Sequence, residues 1–486
     1  MSAKPAILLI GGLDPQGCAG LTADIQTVSH HNCHPVPLVT ALTEQRSDGL
    51  VNLGALSAEA FFRQYESCVA DFDIAAIKIG LIPDRPIADC IVKIVERHRV
   101  PVILDPVLAA SSGGLSVGLE VGEMIRQKLL SKLTLLTPNL LELERLSAHA
   151  QSIELAAQQL LNEGLAACLV KGGHAETTFA TDYYSSEQTT FYLYQSRLKN
   201  EARGTGCVLA SAIASQLALG HDLRDAVVLA KAYVTRGIRD ASLQGPYHLL
   251  THHRHPLSIS DMPRLSYRAD LIGKHFKFPA CDKSLGIYPV VDSADWVEKL
   301  LELGVKTIQL RVKDQTATKT RSEIFSAVAT SQQHDAISFF VNDHWQMAVE
   351  AGAYGVHLGQ EDLHDANLLE IEQSGLRLGV STHSYWELAR ALAVNPSYIA
   401  LGPVYATTSK QMPWAAQGIE RLQQWQSILA DQYPLVAIGG IDVPRAKLLK
   451  QTGVNSVAMI SAITRADDYQ AVTRELLNVW AGHHGG

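Results

Sequence analysis

Short runs of Val, Ile and Leu alternate with longer amphipathic segments along most of this chain. That rhythm constrains the fold most, because parallel strands need crossover connections of helical length. From Gly286 onward the runs fall at residues 287–291, 307–310, 338–341, 354–357, 376–380, 398–401, 435–438 and 456–460. About eight strands in roughly 200 residues, separated by amphipathic segments, match a (β/α)8 barrel. The rhythm breaks between residues 244 and 283, where Gly245-Pro246, His252-His253-Arg254-His255-Pro256, Met262-Pro263 and Phe278-Pro279 crowd together. Turn residues of mixed polarity mark a linker. The expected organisation is an open α/β domain over 1–243, a linker over 244–283 and a barrel over 284–486. The histidine tract reads as solvated linker rather than a metal site.

With 47% hydrophobic and 19% charged residues, the chain has enough apolar material for full cores. Its formal charge of −8 supplies no basic field for nucleic acid, so none is expected as a partner. No apolar run reaches the ~18–20 residues of a membrane span, and the N-terminus passes directly into a first strand rather than a signal peptide. Seven scattered cysteines without Cys-x-x-Cys spacing point to reduced thiols and a cytoplasmic location. The oligomeric state is open, a homo-oligomer included.

In the C-terminal half, polar residues gather directly after the runs: Arg311, Lys313 and Asp314; Asn342 and Asp343; Gln360, Glu361 and Asp362; Ser381 and His383; Thr407, Ser409 and Lys410; Gly439-Gly440; and Ser461. In a (β/α)8 barrel all of these open onto the C-terminal face, where active sites lie. Arg311, Lys313 and Lys410 would converge there with Asn342, Asp343 and Asp362. Two carboxylates opposite three cations suit Mg²⁺ with a diphosphate between them. Gly439-Gly440 and Ser461 follow strands seven and eight, where barrels form backbone phosphate cradles.

Four motifs in order, Gly286-Ile287-Tyr288-Pro289-Val290-Val291-Asp292, Gln309-Leu310-Arg311-Val312-Lys313-Asp314, Tyr354-Gly355-Val356-His357-Leu358-Gly359-Gln360-Glu361-Asp362 and Val436-Ala437-Ile438-Gly439-Gly440-Ile441, resemble thiamine phosphate synthases. The resemblance implies Mg²⁺ on Asp343 and Asp362. It implies pyrophosphate contacts from Arg311, Lys313, Asn342, Ser381 and Lys410, with Arg311, Lys313 and Lys410 as the catalytic cations. Gln309 would hold the pyrimidine; Thr407, Ser409, Gly440, Ile460 and Ser461 would receive a thiazole phosphate. The implied reaction is a largely dissociative displacement of pyrophosphate, with the benzyl-like cation trapped by the thiazole nitrogen. Ser409 stands where the family usually has Thr.

The N-terminal half opens with an apolar strand running into Gly11-Gly12-Leu13-Asp14-Pro15-Gln16-Gly17, a glycine-rich loop before a helix. Its strongest signal is Arg203-Gly204-Thr205-Gly206-Cys207 ahead of an apolar helix over 208–219. Glycines at a helix N-terminus leave N–H groups free for an anion. In that first turn the helix dipole is expected to lower the Cys207 thiol pKa; a buried small hydrophobe is the equal alternative.

These motifs, with Asp24, Thr40-Ala41-Leu42, Gln45, Thr137-Pro138-Asn139 and Lys171-Gly172-Gly173-His174, resemble ribokinase-like kinases, and within them hydroxymethylpyrimidine phosphate kinase. Wider relatives usually carry Asp where Cys207 stands. The resemblance implies pyrimidine contacts from Asp24 and Gln45, an anion hole including Gly204 and Gly206, Cys207 as base, Glu142 near Mg²⁺ and Lys171 towards the co-substrate ATP. Leu13, Cys18 and Arg203 stand where Thr, Gly and His are usual. The implied whole is a bifunctional transferase acting on small phosphorylated pyrimidine and thiazole substrates. A non-catalytic N-terminal module and a pyridoxal-type kinase are the alternatives.

Overall fold

The computed structural model describes all residues except 1–2, 47–48, 109–118, 148–151, 174–176, 255–256, 407–414, 430–431 and 482–486. It divides into two compact units, 1–273 and 274–486.

The strands of the first unit are β1 (Ala6–Leu13), β2 (His34–Arg46), β3 (Gly49–Ala55), β4 (Ile74–Ile79), β5 (Val102–Leu104), β6 (Leu135–Leu136), β7 (Ala167–Val170), β8 (Phe179–Ser186), β9 (Thr190–Ser196), β10 (Ser242–Gln244), β11 (Tyr247–Leu249) and β12 (Arg264–Ser266). All but β10 and β11 form one sheet, in the order β12-β9-β8-β7-β6-β5-β4-β1-β2-β3. From β7 through β1 to β2 the pairs are parallel; β3, β8, β9 and β12 add antiparallel edges. β1 reads Ala-Ile-Leu-Leu-Ile because both faces are covered: Ile7, Leu8, Leu9 and Ile10 have no exposed surface. The chain passes from β1 to β2 on one side and returns to β4 on the other. That reversal opens a crevice at the carboxyl ends of β1 and β4, where open α/β sheets bind ligands.

The second unit is a closed parallel barrel of β13 (Gly286–Val291), β14 (Thr307–Leu310), β15 (Ser338–Asn342), β16 (Gly355–Leu358), β17 (Arg377–Thr382), β18 (Tyr398–Leu401), β19 (Leu435–Ile438) and β20 (Ser456–Met459). β20 closes on β13. Tyr288, Val290, Phe340, Tyr398, Val436 and Ala458 fill the interior, so the barrel is packed and its chemistry must lie at the mouth.

The expected linker over 244–283 is corrected. β10 and β11 form a hairpin, β12 pairs antiparallel with β9, and Leu250, Leu257, Met262 and Leu265 are buried. From the other side, Ser397 donates to the Pro279 carbonyl at 2.7 Å and Asn395 to that of Phe276 at 2.9 Å, which ties this stretch to the barrel. Edge pairing is a tertiary event that turn composition does not announce. The histidines are not simply solvated either. His252 stacks on His30 with ring centres 5.3 Å apart and bonds Tyr233 at 2.8 Å; His253 lies 2.9 Å from Asp240. His255 lies outside the described residues.

Candidate functional site

In the first unit, a cavity of about 900 Å³ occupies the crevice, lined by Gly11 and Gly12 at the end of β1 and Gly80 after β4. Gly204 caps the helix Thr205–Ala218 at φ +74, a left-handed conformation natural to glycine. A side chain there would also strike the Cys18 carbonyl. The helix N-terminus thereby faces the cavity, with Gly206 beside Lys171 and Asp105.

Lys171 stands 2.5 Å from Asp105 and 3.9 Å from Glu142. Glu142 is fixed by a capping box: its N–H donates to the Asn139 side chain at 2.9 Å and its carboxylate accepts the Asn139 N–H at 2.8 Å. Burial pushes Glu142 up to about 7; Lys171 pulls it down and Asp105 adds to the rise. Asp24 is fully buried and accepts from Lys78 and Ser211, each at 2.7 Å. Burial works against the Lys78 ammonium, but Asp24, Cys207 and Asp105 together outweigh it and the Lys78 pKa lies above its ordinary value. The Gln45 side chain lies outside the description. Cys207 corrects an expectation: burial pushes its thiol up to about 12, although Lys78 pulls it down. Desolvation, with Asp24 and Asp105 adding to it, outweighs Lys78 and the Gly20 backbone hydrogen bond, so the surroundings favour the protonated thiol.

In the second unit, three of the expected strand-end residues meet. Lys313 donates to Asp343 at 2.5 Å, and Asp343 and Asp362 lie within hydrogen-bonding reach. Asp343 adopts φ +62 directly after β15, turning its carboxylate out of the strand line. Burial acts to raise Asp343, but Lys313 outweighs it and holds the carboxyl below its ordinary value. Burial, and then Asp343 itself, push Asp362 up. Two adjacent carboxylates with one disfavoured charge fit a divalent cation. Among the described residues no group of three or more His, Cys, Asp or Glu could hold a metal; Mg²⁺ characteristically takes one or two carboxylates with water and phosphate oxygens.

Arg311 follows β14 with its N–H on the Val291 carbonyl at 2.7 Å, and buried Asn342 ends β15. Gly440, at φ +63, is pressed against the Tyr405 and Ala406 carbonyls; Ile460 and Ser461 begin the helical turn after β20. Thr407, Ser409 and Lys410 lie outside the described residues.

A buried polar chain escaped sequence reasoning. Gln309 donates to Tyr288 at 3.2 Å, Tyr288 meets Tyr398 at 2.8 Å, and Tyr398 meets His357 Nδ1 at 2.7 Å. His357 Nε2 then meets Ser381 at 2.7 Å. These residues sit on five different strands, and only closure of the barrel brings them together. Arg390 was missed too: it donates to the backbone carbonyl of Gln360 at 2.6 Å and to its side chain at 3.1 Å, bracing the turn that carries Asp362.

Comparison with known proteins assigns both units. Residues 14–252 match the family model described as phosphomethylpyrimidine kinase, and residues 287–463 the model described as thiamine monophosphate synthase. Thiamine-phosphate synthase of Serratia proteamaculans is 51% identical over 205 residues, 42% of this chain and 96% of that protein. That of Salmonella newport is 52% identical over 202 residues, 42% and 95%. Among solved structures, pyridoxal kinase from Staphylococcus aureus in complex with AMP-PCP matches with TM-score 0.50 and 25% identity, over 55% of this chain and 99% of that one. The chain belongs to the thiamine-phosphate synthase family through its C-terminal barrel, and carries a phosphomethylpyrimidine kinase domain ahead of it.

Proposed function

We propose that the first unit uses MgATP to convert hydroxymethylpyrimidine phosphate to its diphosphate, and that the second couples this product to thiazole phosphate, giving thiamine phosphate and pyrophosphate. The observation that carries the reading is the meeting of Lys313, Asp343 and Asp362 at the barrel mouth. Asp343 and Asp362 are the residues that would hold Mg²⁺, which when bound neutralises charge on the departing pyrophosphate. Lys313 and Arg311 add fixed positive charge to the same leaving group, with Asn342 and Ser381 orienting its oxygens. Lys410, Thr407 and Ser409 are proposed from the sequence for pyrophosphate and thiazole phosphate, with Gly440, Ile460 and Ser461 completing the phosphate cradle. Gln309 would orient the pyrimidine from the barrel floor.

In the first unit, Lys171 and the N–H groups of residues 204–207 would receive the phosphates of ATP, and Glu142 would stand near Mg²⁺. The Asp24 carboxylate, with Gln45, would hold the pyrimidine. Cys207 as base requires that bound substrate reverse the effect of burial on its thiol. The likeness to a pyridoxal kinase keeps pyridoxal as the competing substrate of this domain.

End-product analysis of the intact protein tests the reading. Given hydroxymethylpyrimidine phosphate, thiazole phosphate and MgATP, it should yield thiamine phosphate, ADP and pyrophosphate. Asp362→Ala should stop at the pyrimidine diphosphate. ADP release with pyridoxal but not with the pyrimidine would transfer the first unit to the competing reading.

A further inference from the structure

Gln309 and Ser381 are the two ends of the buried chain that runs through Tyr288, Tyr398 and His357. We propose that Tyr288, Tyr398 and His357 are positioning residues of the synthase site. They fix which way each hydrogen bond of the chain points, so that the barrel offers a lone pair to the pyrimidine at Gln309 and a hydroxyl proton to the pyrophosphate at Ser381. This rests on the synthase reading above and adds the device that orients both ends of one substrate.

The direction follows from satisfying each group in turn. Gln309 turns its Nε2 towards the phenols, 3.2 Å from Tyr288 and within reach of Tyr398, and an amide nitrogen only donates. Tyr288 is 1% exposed and its oxygen receives that N–H. Among the described residues its own proton has one acceptor, the Tyr398 oxygen at 2.8 Å. Tyr398 has no exposed surface and passes its proton on to His357 Nδ1 at 2.7 Å. A neutral imidazole that accepts at Nδ1 carries its proton on Nε2, which donates to Ser381 Oγ at 2.7 Å. Burial pushes both phenols up, so each keeps the proton it passes along. The opposite direction would need Gln309 to face Tyr288 with its oxygen, and would turn the Ser381 hydroxyl inward to His357.

What remains at the ends suits the substrate. Among the described residues, no hydrogen bond takes up Gln309 Oε1 or the Ser381 proton. Ser381 is half-buried, and Gln360 holds its backbone carbonyl at 2.7 Å, so its hydroxyl turns on a fixed base.

The pyrimidine carries an amino group beside the carbon that bears the reacting methylene. In the reaction the methylene carbon–oxygen bond breaks and its electron pair leaves with pyrophosphate. The thiazole nitrogen lone pair then forms the new carbon–nitrogen bond, and no proton moves along the chain. Between those events the amino nitrogen feeds electrons into the ring, which makes its N–H a better donor to Gln309 Oε1. The leaving oxygens become better acceptors from Ser381. Both bonds are therefore stronger in the transition state than before it. Hydrogen bonds in a chain also polarise one another. A Ser381 hydroxyl donating to a growing anion draws harder on His357, and the pull reaches the Gln309 amide, whose oxygen becomes more negative. Charge leaving at one end strengthens the hold on the amino group at the other.

The test supplies the full chain with the pyrimidine diphosphate and thiazole phosphate, and measures kcat and KM. Calorimetry compares binding of that diphosphate with the analogue carrying an oxo group in place of the amino group. Tyr398→Phe removes the middle hydroxyl, which frees Gln309 to turn its amide and Ser381 its hydroxyl. It should lower kcat by roughly tenfold, the scale of one hydrogen bond, and reduce the preference for amino over oxo by a similar factor. Ser381→Ala should then cost much less in Tyr398→Phe than in the wild type, a coupling carried through His357. Tyr288→Phe should lose the same preference, and decides the matter if Tyr398→Phe does not fold. A lowered unfolding midpoint with an unaltered preference marks a merely structural role and overturns the proposal, as do strictly additive effects of the Tyr398 and Ser381 changes. If the wild type makes no thiamine phosphate, the synthase reading falls. Binding then still judges the chain: equal affinity for the amino and oxo diphosphates in the wild type overturns it, and an amino preference lost in Tyr398→Phe upholds it.

Discussion

Lys313 faces a pair of carboxylates that repel each other: burial and then Lys313, which opposes it, leave Asp343 below its ordinary value, whereas burial and Asp343 push Asp362 up despite Lys313. The ammonium thus keeps the mouth ready for a cation–diphosphate pair rather than stabilising the fold, since it is 44% exposed and its ion pair is screened by solvent. Lys313→Ala should lower synthase turnover by ~10²-fold or more, the scale of one lost electrostatic stabiliser, with little change in stability. Steady-state thiamine phosphate formation from supplied pyrimidine diphosphate checks this, and wild-type turnover would remove Lys313 from the site. Lys313 and both carboxylates were legible in the sequence because each falls within four residues of a strand's carboxyl end, and all such positions share one face. The upward push of burial on the Cys207 thiol was not. Its place in the first helical turn is local information, whereas its desolvation comes from elements distant in the chain.

The elements show the same division. Strand rhythm announced the barrel, because a buried parallel strand needs a continuous apolar run. The chain from Gln309 to Ser381 was illegible, since it depends on the register between five strands. Gly379 on β17 makes this concrete: a Cβ there would run into the Tyr398 ring. Gly379→Ala should displace that ring, break its bonds to Tyr288 and His357, and destabilise the barrel by roughly 1–3 kcal/mol through overpacking. Denaturant unfolding of the second unit measures it, and an unchanged midpoint would mean the ring can move without cost. In the first unit, the segment after β11 carries His252, whose surroundings make its charge costly. Burial, and then His30, His31 and His253, depress His252 to about 4. The folded state therefore disfavours the protonated imidazole, and the stability this group supplies is present above its ordinary value near 6.5 and lost as pH falls towards 4. The Thr251 N–H, which donates to the Gly237 carbonyl at 3.1 Å, reports the loss. Its hydrogen-exchange protection, corrected for intrinsic rate, should fall over that window in the wild type and stay flatter in His252→Gln. Parallel curves would show that another group governs the opening.

At the scale of the whole molecule, the boundary between the units decides what can be separated. Turn composition suggested a cut near residue 243, but residues 244–273 complete the first unit. β12 covers the edge of β9, Leu250 packs over Gly237, and Met262 and Leu265 are 2% and 1% exposed. Arg239 reaches the buried Asp261 carboxylate at 2.5 Å, and the hairpin holds Arg203 beside the anion hole. Cutting at 243 removes three large buried apolar side chains and uncovers the surface they cover, a loss of roughly 1.5–3 kcal/mol for each. Against a domain stability of about 5–15 kcal/mol, that sum is enough to unfold a marginal domain, and it leaves a bare strand edge prone to association. A protein of residues 1–243 should aggregate or melt without cooperativity and release no ADP, whereas 1–273 should melt cooperatively and release ADP with the pyrimidine phosphate. The complementary 274–486 should make thiamine phosphate when given the diphosphate, since its barrel closes on its own strands. Circular dichroism melts and coupled ADP release on the two N-terminal lengths discriminate them. A cooperative, active 1–243 would show that the hairpin and β12 are attachments to the kinase fold rather than parts of it.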